Sequence, residues 1–95
     1  MNIEITSRHF TASEQLKELV NEKVKKIERF NNVIISCYVI LTKEHNSENV
    51  EIIVHAKGHD FISSENEDIF ERSLTNAVDK ISTQIKKRNE KTLSR

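Results

Sequence analysis

The chain has no proline and no tryptophan, one glycine, one cysteine and a formal net charge of zero. Each shortage removes a class of answer. With Gly58 alone there is no glycine-rich loop to cradle a phosphate. Without proline there is also little material for turns, flexible linkers or low-complexity tails. Cys37 cannot close an internal disulfide or furnish a cysteine-based zinc site, which points to a reducing compartment. Four phenylalanines and one tyrosine, most at core phases, argue against a surface that stacks on unpaired bases. No stretch approaches the roughly 18 consecutive apolar residues of a membrane span. The opening MNIEITSR has no basic segment followed by an apolar run, so no signal peptide is read there. The expectation is a soluble, cytoplasmic protein with no cofactor and no small-molecule substrate.

Ninety-five residues suit one domain with a single modest core. Charged residues make up 32% and apolar residues 36%, so the core must be economical. The zero total conceals a separation of charge. From Glu44 to Glu71 there are eight acids against one base, Lys57; from Asp79 onward there are six bases against Asp79 and Glu90. A local basic surface acts within about a Debye length whatever the total.

Residues 2–8 alternate Ile3 and Ile5 with polar neighbours, as a half-buried strand does. A helix over about 12–30 follows, with Leu16, Leu19, Val20, Val24 and Ile27 on its apolar face. Thr11 and Glu14 are read as its capping box, Phe10 as a staple, and Asn31-Asn32 as its exit. Strands are expected at about 33–44, 49–57 and 60–64, with Gly58 at a tight reversal. A last helix over about 66–91 is read as capped by Ser64 with Glu67, or by Asn66. Two amphipathic helices can both bury their stripes only against one sheet. The expected fold class is α+β: a β-α-β-β-β-α two-layer sandwich, with a four-stranded mixed sheet and both helices on one face. The crossover makes the first two strands parallel, with right-handed topology, and the later strands form an antiparallel meander.

The last helix carries the argument for function. Phe70, Leu74, Ala77, Val78, Ile81 and Ile85 recur at helical spacing. At about 100° per residue, Lys80, Gln84, Lys87 and Lys91 form a row beside that stripe. On the first helix Lys23 and Lys26 border the stripe, and Lys23 must snorkel to reach water. If the helices lie side by side, these rows converge on one cationic surface. Arg88 continues it, while Lys25, Arg29 and Lys86 are peripheral. Such a surface neutralises phosphates; the alternative is an ordinary solvated face. Recognition of RNA backbone by lysine fits better than base reading. His45, His55, His59 and Asp60 lack metal-ligand spacing. Cys37 reads as a buried, inert thiol, the serines have no paired base, and no enzyme is expected.

The segments ITSRHFTASEQLKELVNEKVKKIERF, VILTKE and HAKGHDFISSENEDIFERSLTNAVDKISTQIKKRNEK cover nearly the whole chain. Together they resemble the ribosome hibernation factors, the short hibernation-promoting factor and the ribosome-associated inhibitor also called factor Y. The resemblance implies a fold related to double-stranded RNA-binding domains. It also implies binding to the small ribosomal subunit, in the channel of messenger and transfer RNA, with translation inhibited and idle ribosomes preserved in stationary phase or stress. The basic residues of the family would fall on Arg8, Lys23, Lys26, Lys80, Lys87, Arg88 and Lys91. In length the chain resembles the short type, so the additional C-terminal domain of the long factors is not expected. Such proteins work with a ribosome modulation factor, and this one is expected to be a monomer off the ribosome. Relatives described as modulators of an alternative sigma factor leave a protein-interaction module as the alternative.

Overall fold

A computed structural model of the chain describes residues 2–30 and 34–93, with the side chains of the last helix described as far as Arg88. The elements run β1 (Asn2–Arg8), α1 (Glu14–Val24), a 3-10 helix (Lys25–Phe30), β2 (Ile34–Lys43), β3 (Glu48–Ala56), β4 (His59–Glu67) and α2 (Phe70–Leu93). The β-α-β-β-β-α order expected from periodicity is the order observed. The sheet is β1-β2-β3-β4, with β1 parallel to β2 and the other two pairs antiparallel. Asn31, Asn32 and Val33, read as the exit of the first helix and the start of the second strand, lie outside the described residues.

Alternation decides the two faces of the sheet. Cys37, Val39 and Leu41 of β2, Val50, Ile52 and Val54 of β3 and Phe61 of β4 turn toward the helices and are buried. They meet Val20, Val24 and Ile27 from the first helical segment and Phe70, Leu74, Ala77, Val78, Ile81 and Ile85 from α2 in one cluster. At about 25 cal/mol per Å² of apolar surface, each large side chain buried there contributes roughly 1.5–3 kcal/mol. Ser63, also on this face, has a buried Oγ with no hydrogen-bond partner among the described residues.

Turn chemistry is legible in two places. Lys57 and Gly58 join the paired residues Ala56 and His59, and Gly58 sits at φ 74°, the left-handed region that a side chain strains to adopt. His9, at φ 69°, turns the chain from β1 toward α1.

Both helix starts differ from expectation. Thr11 does not cap α1; Ser13 does, its Oγ accepting the Leu16 N–H at 3.1 Å. The chain offers two hydroxyls two residues apart, and the helix begins at the one nearer the apolar period. Ser64, Asn66 and Glu67 do not cap α2, because β4 continues through all three. The Phe70 N–H is instead accepted by the carboxylate of Glu48, 22 residues earlier on β3, at 2.8 Å. Ser73 Oγ donates to the Glu48 main-chain carbonyl at 2.5 Å. A carboxylate at a helix N-terminus satisfies an orphan donor and opposes the positive end of the helix dipole. Replacing Glu48 with Ala is therefore expected to cost about 1–2 kcal/mol in urea unfolding, while Glu48→Gln, which still accepts, should lose less than half of that. No loss for Glu48→Ala would mean that the cap contributes nothing.

Cys37 is fully buried, and burial pushes its thiol up to about 11 from an ordinary 9.0. The unfolded thiol ionises first, so above pH 9 the unfolded state binds fewer protons than the native one. This contribution is intact below pH 9 and is lost as pH rises toward 11. Unfolding free energy should fall over that window by roughly 2–3 kcal/mol more than it does in a Cys37→Ala variant. Parallel curves for the two proteins would show that the thiol ionises freely in the native state.

Candidate nucleic-acid interface

Helix α2 crosses β3 and β4, and α1 with its 3-10 continuation lies alongside α2 on the same side of the sheet. The buried stripe of α2 leaves two flanks. One faces β4: Lys80 Nζ pairs with Glu65 Oε2 at 2.5 Å, and Gln84 Nε2 donates to the Ile62 carbonyl at 3.0 Å. The other faces the 3-10 helix and forms the wall of a groove of about 750 Å³.

Lys25, Lys26 and Arg29 line that groove from the 3-10 helix, and Asp79, Ser82, Thr83 and Lys86 line it from α2. The sequence places these cations at its mouth for a local reason. The first helix tightens from α to 3-10 winding at Lys25, so residues three apart come into line. Ile27 is thereby buried, Phe30 packs against the core, and Lys26 and Arg29 are turned outward. Arg29 is braced by Phe30, its guanidinium carbon 4.9 Å from the ring centroid. Four cations against one acid give the groove a charge of +3 in a chain whose total is zero. Thr83 Oγ1 donates back to the Asp79 carbonyl at 2.9 Å.

The two basic edges read from the sequence do not form one surface. Lys26 lies in the groove. Lys23 is partly buried in the last turn of α1, consistent with a snorkelling side chain, and is not among the lining residues. Lys80 sits on the opposite flank of α2, and the helical phase carries the exposed Lys87 to that flank as well. Arg88 is exposed one turn past Ile85. Arg8 ends β1 on the face of the sheet that carries no helix. The side chain of Lys91 lies outside the described residues. Conversely Lys25, Arg29 and Lys86, read as peripheral, are the ones that join Lys26. Their signal was available: with Asp79 and Ser82, Lys86 marks the second flank of the α2 stripe, and nothing required the partner helix to sit beside the first.

Other chemistry is sparse. Among the described residues, no group of three or more His, Cys, Asp and Glu is placed to hold a metal ion. His55 Nδ1 lies 2.8 Å from Asp60 Oδ1, but that pair is on the open face of the sheet and Cys37 on the covered one. Among the described residues no helix is long and apolar enough to cross a membrane.

The fold and the groove define a two-layer α+β domain with cations collected between its helices. Residues 3–93 match the family described as "Sigma 54 modulation protein / S30EA ribosomal protein", and the chain belongs to that family. It is similar to the ribosome hibernation promoting factor of Azotobacter vinelandii, at 28% identity over 96 aligned positions covering all of this chain and 89% of the relative. Similarity to the ribosome hibernation promoting factor of Escherichia coli K12 is 27%, covering 96% of each. Among solved structures, a ribosomal subunit interface protein from Coxiella burnetii superposes with a TM-score of 0.88 at 21% identity, covering 95% of this chain and 99% of the other. The N-terminal domain of Thermus thermophilus Protein Y gives 0.84 at 23% identity, covering 92% and 98%. These two likenesses show the same fold.

Proposed function

We propose that this protein is a ribosome hibernation factor that binds the small ribosomal subunit through RNA backbone held in the groove between the 3-10 helix and α2. The observation that carries the reading is the gathering of Lys25, Lys26, Arg29 and Lys86 around one concavity in a chain of zero net charge. Two elements distant in sequence supply those cations, and the like-signed rim has an obvious complement in phosphate. Ser82 adds a hydroxyl between the charges, while the Thr83 hydroxyl is spent on the Asp79 carbonyl. The relatives named as hibernation promoting factors supply the biological context.

The role of each residue follows from its place. The four groove cations contact phosphates directly. Lys87 and Arg88, with Lys91 further along the sequence, supply longer-range attraction, Lys80 is braced by Glu65, Lys23 supports the end of α1, and Arg8 lies on the other face. The mechanism is steric: the rigid sandwich fills the messenger and transfer RNA channel while the lysines hold it there, and translation stops during stationary phase or stress. No bond is made or broken. The test is co-sedimentation of the purified protein with separated subunits across a salt series. Binding to the small subunit should weaken linearly on a log–log plot, the slope counting phosphate contacts at about 0.7–0.9 each. Absence of binding at every salt concentration would end this reading.

A further inference from the structure

Among the described residues the second face of the sheet bears no helix, and its composition is unlike that of the groove. Strand register places Glu4, Tyr38, Ile53 and Ile62 in one row across all four strands. The next row is Thr6, Ile40, Glu51 and Ser64. Tyr38, Ile40, Ile53 and Ile62 are therefore contiguous, and Ile62 keeps 55% of its surface exposed. Around this apolar centre stand Glu4, Glu51 and Asp60, with Arg8 as the one formal cation of the four rows, a charge of −2 with histidine neutral.

An apolar patch with an acidic rim limits what can cover it. Nucleic acid and anionic lipid are repelled by the carboxylates. A second copy of the same face would set acid against acid. A protein surface that offers aliphatic side chains inside a ring of lysine and arginine satisfies both features, because apolar contact supplies affinity and the opposite charge supplies orientation and encounter rate. We propose that the open face of the sheet, centred on Ile53 and Ile62, docks a basic protein of the small ribosomal subunit while the groove on the helical side holds RNA. The inference rests on the functional reading above. It divides the domain by the sign of its two faces: positive toward RNA, negative and apolar toward protein.

The test compares two targets, intact small subunits and protein-free RNA from the same subunit. In the variant Glu51→Lys/Ile62→Lys the patch loses its apolar centre and reverses part of its rim. Both positions are at the surface of β-strands, and the melting curve checks the fold; Ile62→Thr alone is the milder companion. The double variant should bind intact subunits at least about 10-fold more weakly and protein-free RNA at least as well as the parent chain does, with Ile62→Thr showing a smaller loss on intact subunits. Unchanged affinity for intact subunits would overturn the proposal. An equal loss on protein-free RNA would also overturn it, by assigning the face to RNA. Charge reversal in the groove should weaken both targets, so failure of the RNA reading is seen separately. A parent chain that binds neither target refutes both.

Discussion

Exchanging Lys26 and Lys86 for glutamate should lower affinity for the small ribosomal subunit by about 100-fold near 0.1 M salt. The estimate comes from counterion release. With a log–log slope of roughly 0.7–0.9 per phosphate, one lost contact at that salt concentration is worth about 5- to 8-fold, and two are worth about 25- to 60-fold. Reversal adds repulsion to the loss. The two residues belong to different elements and face one groove, so changing both weakens it from each side. Both are exposed, and the melting temperature should not move appreciably. Lys87→Glu, on the flank toward β4, is the comparison: the same change of charge on the same helix should cost less than the roughly 5-fold of one lost contact. Co-sedimentation measures both. If Lys87→Glu proves the more damaging, the binding surface is the β4 flank of α2 and not the groove.

The second large effect is on stability. Ile81 has no exposed surface and centres the apolar face of α2. Ile81→Asp removes a buried aliphatic side chain, worth about 2–5 kcal/mol when truncated, and forces either a carboxylate into the core or a proton onto it. Against the 5–15 kcal/mol typical of a domain, that substitution should leave the chain largely unfolded at 25 °C. Ile81→Val should cost only about 0.5–1.5 kcal/mol and keep the fold. Far-ultraviolet circular dichroism and thermal melts report both. A cooperative, unshifted melt for Ile81→Asp would mean that the helix presents another face to the sheet.

The parts of the fold that depend on local repetition were open to reading in the sequence. Ile3 and Ile5 mark β1 to the residue, and the three-and-four spacing from Phe70 to Ile85 gives the buried side of α2 correctly. What escaped was set by tertiary neighbours. The segment Ser64-Glu65-Asn66-Glu67 has the polarity of a helix cap, yet it continues β4 because Glu48, Asn49, Val50 and Glu51 are there to pair with it. The true cap, Glu48, lies outside any window that begins at the helix. The groove was hidden in the same way. A helical wheel shows two flanks beside one stripe, and only the packed arrangement tells which of them meets the other helix. Lys80 and Lys87 form the tidier row on paper, but their flank looks toward the sheet edge, where Gln84 already holds the Ile62 carbonyl.

The winding of the first helix has one more consequence. In 3-10 geometry side chains three apart eclipse one another, so Lys26 and Arg29 stand in register, with Lys25 beside them and Asp79 the one acid at the groove. An α-helical continuation would have staggered them. The 3-10 winding thus lines like charges along one rim of the groove, facing Lys86 across it. On the proposed reading, RNA backbone would supply the counter-charge that Asp79 alone does not.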